Sequence, residues 1–337
     1  MKIIIFGTRP EIIKLYPVIK EMPECYVVFT GQHDKLAKQM LKEFKIKVDE
    51  NLEVMTDNQS LSSLTIKLHQ KLSELMIKKK PELVIIQGDT TSAMVVALEA
   101  YYHKIPVAHI EAGLRTDDIY APFPEEINRR IITQIAQFNF TPTQKATYTC
   151  EHAHTNAYTY QVGNTVVDSV KEISRDMRLV QQKQFLLTIH RRENFENIPL
   201  IFDQVGKFLK KHSDWVCIAL IHPNPNVRQA IEKLILPSQV LKVNPLGYSD
   251  MIAEMQRSSF IVTDSGGIQE EAPTLQRFVF VVREKTERIE GLGDCAMLVS
   301  PKQLYKTLEV KFKSLPTFMS NPYGDGFAGR RIAEVLK

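Results

Sequence analysis

Only four cysteines serve 337 residues: Cys25, Cys150, Cys217 and Cys295 stand far apart, and no C-x-x-C occurs. That spacing argues against a disulfide framework and for buried thiols in a reducing compartment. Cys150, His152 and His154 are spaced as metal ligands can be, but no second ligand cluster accompanies them. They read as an ordinary polar surface segment, and no metal is expected. No apolar run is long enough to span a bilayer, and the first expected strand begins at residue 2. A cytoplasmic protein without a signal peptide or membrane contact is therefore expected. Net charge is only +4, and no basic patch carries interleaved aromatics, so nucleic acid is not an expected partner. Glycine is sparse at 14 residues, and the Gly266-Gly267 pair fits neither G-x-G-x-x-G nor a Walker A loop. No nicotinamide cofactor is expected. Internal repeats and low-complexity segments are also missing.

What the chain does have is a sustained alternation. Its length exceeds that of a usual single domain. Short β-branched runs predict strands at 2–6, 25–30, near 51–54, 83–87 and 107–110, and then at 185–189, 216–221, 240–243, 260–263, 278–282 and 296–299. Nearly continuous apolar strands separated by helical patterns imply parallel sheets covered on both faces. The expected fold class is α/β, with two doubly wound Rossmann-like domains facing a central cleft and joined near residue 165. Pro17 falls inside the first helical pattern and should kink or shorten that helix.

The stretch from Phe260 to Glu271 organises the rest. A buried strand pattern ends at Thr263, Ser265 can cap the next helix, and Gly266 and Gly267 let the backbone turn. Open amides at such a helix start favour an anion such as phosphate. Glu270 and Glu271 would repel that anion unless they turn aside, for instance to ribose hydroxyls. An ordinary strand-to-helix turn with an acidic first turn is the competing reading. Arg9, Asp89, Glu111, Glu125, His190 and Arg191 also stand at ends of expected strands or helix starts. Each alone could be a cap or an ion pair. Together, the first half supplies three carboxylates beside Arg9, and the second supplies the glycine turn, His190 and Arg288. A molecule with an anionic end and a hydroxyl-rich end fits this division, as a nucleoside diphosphate joined to a sugar does.

The segments Gly7-Thr8-Arg9-Pro10-Glu11, Gln87-Gly88-Asp89-Thr90-Thr91, His109-Ile110-Glu111-Ala112-Gly113-Leu114-Arg115-Thr116, Pro124-Glu125-Glu126-Ile127-Asn128-Arg129, His190-Arg191-Arg192-Glu193-Asn194 and Asp264-Ser265-Gly266-Gly267-Ile268-Gln269-Glu270-Glu271 resemble the motif set of the non-hydrolysing UDP-N-acetylglucosamine 2-epimerases. Thr286-Glu287-Arg288 and Asn321-Pro322-Tyr323-Gly324-Asp325-Gly326 match as well. The resemblance spans essentially the whole chain, in order. It implies a glycosyltransferase-B type fold, usually dimeric: residues 1–165 carrying the catalytic carboxylates, 166–318 binding UDP, and a C-terminal segment 319–337 whose helix packs back on the first domain. It also implies interconversion of UDP-N-acetylglucosamine and UDP-N-acetylmannosamine through elimination of UDP and an enzyme-bound 2-acetamidoglucal.

The residue types suit that chemistry. The C2 hydrogen is not next to a carbonyl, so its removal needs a very good leaving group at C1. The resemblance places Asp89, Glu111 and Glu125 as the acid/base set, without dividing the steps among them. His190, Arg9, Arg288 and the amides of Ser265, Gly266 and Gly267 would stabilise the departing diphosphate. Glu271 would bind ribose, Lys14 the diphosphate or nucleotide, and Arg129 joins the substrate-binding set. Met251 falls where relatives place an aromatic beside the uracil, with Tyr248 as an alternative stacking residue. An effector site is implied at Gln32, His33, Gln59 and His222. There Asn58 replaces an arginine and Lys35 a common glutamine, so weaker substrate activation is expected. A 2-epimerase of another UDP-sugar, such as a diacetamido uronic acid, a retaining glycosyltransferase and a non-catalytic nucleotide-sugar sensor are the competing functions.

Overall fold

The structure is a computed structural model describing residues 1–31, 34–56, 59–116, 118–317 and 319–337, without the side chains of 34–36. Two compact units are formed, one from Met1–Ser169 with Gly324–Lys337 and the other from Val170–Tyr323. In the first, chain order runs β1 (Lys2–Phe6), α1 (Arg9–Glu21), β2 (Tyr26–Phe29), α2 (Asp34–Glu43), β3 (Glu50–Asn51), α3 (Leu61–Lys79), β4 (Leu83–Gln87), α4 (Thr91–Tyr102), β5 (Val107–Ile110), α5 (Glu125–Ile135), β6 (Phe138–Thr141), α6 (Gln144–Glu151) and β7 (Tyr158–Gln161), followed by α7 (Thr165–Ser174), inside which the division falls. The second unit continues with β8 (Gln184–Thr188), α8 (Ile198–Lys211), β9 (Val216–Leu220), α9 (Pro225–Glu232), β10 (Val240–Val243), α10 (Tyr248–Arg257), β11 (Phe260–Thr263), α11 (Gly266–Glu271), β12 (Phe278–Val281), β13 (Ala296–Leu298) and α12 (Leu304–Lys311). The last helix, α13 (Ala328–Leu336), belongs to the first unit and packs on α1. Asp168 Oδ1 accepts the Gly329 N–H at 2.8 Å, which satisfies an amide at the start of α13.

Both sheets are wholly parallel, ordered β3-β2-β1-β4-β5-β6-β7 and β10-β9-β8-β11-β12-β13. The strand order reverses beside β1 in the first sheet and beside β8 in the second, and crevices at such points are where open α/β sheets bind ligands. The apolar runs behave as expected. Ile3, Ile4, Ile5, Val84, Ile85 and Ile86 are essentially inaccessible, as are Phe260, Ile261 and Val262, because helices cover both faces of the sheets. In the second unit Phe185 stacks on Phe260, and Phe208 meets both edge-on.

Three local expectations need correction. Pro17 neither ends nor shortens α1, which runs from Arg9 to Glu21. Proline deprives the Ile13 carbonyl of its helical N–H, and Ser169 Oγ donates to that oxygen instead, at 2.6 Å. Strands β6 and β7 were not anticipated. Their runs are aromatic and polar rather than aliphatic, and cross-strand pairs hold them: Phe138 with Tyr158 at 5.8 Å and Phe140 with Tyr160 at 5.7 Å. Cys150 is buried on α6 rather than at the surface, and burial pushes its thiol up to about 11.

Candidate active site

In the first unit two of the expected acidic residues, Asp89 and Glu111, are built on cations. Glu111 follows β5 with φ +65°, a left-handed conformation that a long side chain rarely adopts. Its carboxylate receives Lys14 Nζ at 2.6 Å on both oxygens and Gln87 Nε2 at 2.5 Å. Thus β4, β5 and α1 all converge on one carboxylate, whose side chain is 6% exposed. The turn after it is tight. Gly113 has φ +91°, and a Cβ there would lie 2.1 Å from the Ala146 carbonyl oxygen, so only glycine fits. Asp89 follows β4, and its Oδ2 accepts from Arg129 Nη2 at 2.6 Å and Nε at 3.1 Å. Its carbonyl accepts from Asn128 Nδ2 at 2.9 Å. Arg129 is itself fixed by the fully buried Glu126 at 3.0 Å. Arg129 therefore sits on a catalytic candidate, one step back from an open surface. Glu125, half-buried, is the first residue of α5. Arg9 opens α1, half-buried, and makes no ion pair among the described residues.

Two buried groups behind these residues were not singled out from the sequence. Glu11 accepts the Gly7 N–H at 3.1 Å and the Thr90 hydroxyl at 3.0 Å, tying the turn that carries Arg9 to the turn that carries Asp89. Complete burial raises its carboxyl to about 7, against those hydrogen bonds. His109 on β5 bonds the Gly88 carbonyl through Nε2 at 2.7 Å. Burial lowers its pKa to about 4, so it is a neutral donor that fixes the turn before Asp89. Both lie inside quoted motifs, His109 one position before the end of β5 and Glu11 two positions after the start of α1.

In the second unit His190 follows β8. Asp264, wholly buried at the end of β11, accepts the backbone N–H of His190 at 3.1 Å and of Arg191 at 3.0 Å, and Asn194 Nδ2 at 3.1 Å. The His190 Nδ1 lies 3.3 Å from Asp264 Oδ1. Burial lowers the imidazole pKa, Asp264 opposes that shift and Arg191 adds to it. On its other side His190 stacks on the exposed His222, with ring centroids 5.3 Å apart. Of the implied effector residues, His222 thus lies against His190 in the second unit, while Gln59 belongs to the first and accepts from the Thr56 hydroxyl at 2.9 Å. Gln32, His33 and Asn58, and the side chain of Lys35, fall outside the described residues.

Ser265, Gly266 and Gly267 open the short helix α11 after β11. A Cβ on Gly266 would come within 2.9 Å of the Arg288 guanidinium, so glycine is what lets that cation lie beside the helix start. Arg288 Nε pairs with Glu270 at 3.1 Å, and its Nη1 with Glu287. Burial opposes the Glu287 charge, but Arg288 and Arg283 overcome it and hold the carboxyl at about 2. Glu270 is therefore turned toward Arg288. Glu271 takes a different partner, accepting from the Tyr248 hydroxyl at 3.0 Å. Tyr248 is 2% exposed, so it is not the stacking surface expected as an alternative to the half-buried Met251.

A profile described as UDP-N-acetylglucosamine 2-epimerase matches residues 19–337. The chain is 38% identical to the UDP-N-acetylglucosamine 2-epimerase of Bacillus subtilis, over 98% of this chain and 93% of that one. It is 36% identical to the Campylobacter jejuni enzyme, over 99% and 96%. The crystal structure of the Neisseria meningitidis UDP-GlcNAc 2-epimerase bound to UDP-GlcNAc superposes with a TM-score of 0.90 at 35% identity, covering 100% of this chain and 99% of that one. The two parallel sheets, of seven and six strands, are of the glycosyltransferase-B type. On sequence and on structure alike, the chain belongs to the UDP-N-acetylglucosamine 2-epimerase family.

Proposed function

We propose that this protein interconverts UDP-N-acetylglucosamine and UDP-N-acetylmannosamine by eliminating and re-adding UDP. The observation that carries the reading is the Glu111 site: a carboxylate held in left-handed backbone by Lys14 and Gln87, in the same unit as Asp89 on its own arginine. A sensor has no use for such preorganised carboxylates; proton transfer at carbon does. In the reaction a carboxylate takes the C2 proton, the C2–H electrons form the C1=C2 bond, and the C1–O bond breaks to release UDP. Protonation of C2 from the opposite face and return of UDP to C1 complete the epimerisation. Asp89, Glu111 and Glu125 are the acid/base set. Arg9, Arg288, His190 and the amides of Ser265 to Gly267 stabilise the leaving diphosphate, Glu271 takes the ribose, and Met251 lies beside the base. No nicotinamide cofactor takes part.

The protein is further proposed to act as a homodimer in the cytoplasm. Tyr101, Tyr102, Ile66 and Ile77 are exposed on α3 and α4, large apolar side chains of the kind a second copy covers. All four cysteines are free and buried, which supports a reducing compartment. No helix among the described residues is long and apolar enough to cross a membrane. The test is incubation with UDP-N-acetylglucosamine and no added cofactor, followed by proton NMR of the anomeric region. Appearance of the manno epimer supports the reading; release of free sugar and UDP alone would replace it with a hydrolase.

A further inference from the structure

We propose that Tyr248 is a positioning residue that sets the protein's preference for the ribose hydroxyls, acting through Glu271. The inference rests on the ribose role given to Glu271 above. Consecutive residues on a helix point about 100° apart, and the last two of α11 use that divergence. Glu270 turns to Arg288 at 3.1 Å, whereas Glu271 meets the phenol of Tyr248 at 3.0 Å. Tyr248 is the first residue of α10, reached directly after Gly247, so its ring is carried by a backbone already fixed in a helix. Both partners are buried, Tyr248 at 2% and Glu271 at 8% exposure.

Burying a carboxylate is costly unless its oxygens are bonded, and a phenol is a strong neutral donor to it. The phenol has one proton to give, and it goes to Oε1. A carboxylate has about four lone-pair sites; the phenol occupies one of them and fixes the torsion of the group. Glu271 thereby meets a ribose in a set orientation, without rotating on binding. Arg288, assigned to the diphosphate, is held by Glu270 and Glu287. Loss of the phenol should therefore be felt by the ribose and not by the phosphates or the base.

The experiment is titration calorimetry of the full chain with two probes, UDP and 2′,3′-dideoxyuridine diphosphate, which lacks both ribose hydroxyls. Wild-type protein should prefer UDP. Tyr248→Phe, which keeps the ring and removes only the oxygen, should weaken UDP about tenfold, the effect of one hydrogen bond to a charged group, and leave the dideoxy probe unchanged. Glu271→Gln should also weaken UDP selectively, and adding Tyr248→Phe to it should cost little more. Undiminished preference for UDP in Tyr248→Phe, or equal weakening of both probes, would overturn the proposal and leave Tyr248 a packing residue. Equal binding of both probes by wild-type protein would instead overturn the ribose assignment of Glu271 itself.

Discussion

Replacing Lys14 by methionine removes the ammonium that touches both oxygens of Glu111 and leaves a carboxylate whose side chain is 6% exposed. The lysine side chain is itself 10% exposed, so water screens neither partner well. Breaking such a pair from one side costs about 3–5 kcal/mol, because the remaining charge stays buried without its counter-ion. Glu111→Gln should be costly for the converse reason, stranding the ammonium. The double variant Lys14→Met/Glu111→Gln buries no net charge, so its loss should fall short of the two single losses combined by about 2 kcal/mol or more. Urea unfolding followed by circular dichroism measures all three. Trp215, the only tryptophan, lies in the second unit and would not report on the pair. A loss below about 1 kcal/mol for Lys14→Met, the range of exposed pairs, would show that water reaches the pair and would refute the reasoning.

Gly113→Ala should destabilise by about 4 kcal/mol or more, since φ is +91° and the new Cβ meets the Ala146 carbonyl at 2.1 Å. Gly88→Ala, at φ +75° with nothing within 4 Å, should cost only about 1–2 kcal/mol, and equal losses in urea melts would contradict the packing argument. His109 has a folded pKa of about 4 against 6.5 unfolded, so the unfolded chain binds the extra proton and stability falls as pH drops from 6.5 toward 4. Wild-type protein should therefore lose about 2 kcal/mol more than His109→Asn between about pH 7 and about pH 5, and parallel losses would show that His109 titrates normally. Glu11 has the opposite sign, with a folded carboxyl near 7 against 4.5, so Glu11→Gln should gain most over wild type above pH 7 and lose that advantage as pH falls toward 4.5. His190→Ala should lower kcat by about 10²-fold or more with folding intact, and near wild-type turnover would remove it from the site.

The aliphatic strands were legible because strands buried on both faces are mostly apolar: 83–87 and 260–263 could be placed from their own composition. Strands β6 and β7 were not, because Phe-Asn-Phe-Thr and Tyr-Thr-Tyr-Gln owe their pairing to rings on a neighbour distant in sequence. The site divides in the same way. Asp89, Glu111 and His190 stood at strand ends that local pattern could locate. Their partners did not: nothing near Lys14 announces Glu111, 97 positions away, and nothing near Tyr248 announces Glu271. Glu11 and Asp264 show the same limit, since a buried carboxylate looks like a surface one until the groups that bond it are known. The continuation of α1 past Pro17 was not legible, because the residue that satisfies the freed carbonyl, Ser169, arrives from the end of the first unit.

The central claim is that epimerisation passes through loss and return of the C2 proton with departure of UDP. Turnover of UDP-N-acetylglucosamine in deuterated water, followed by NMR and mass spectrometry, tests it directly. The account predicts that the manno product carries one deuterium at C2, and that Glu111→Gln slows label incorporation by about 10²-fold or more. Product formed at the wild-type rate with its original hydrogen at C2 would contradict it.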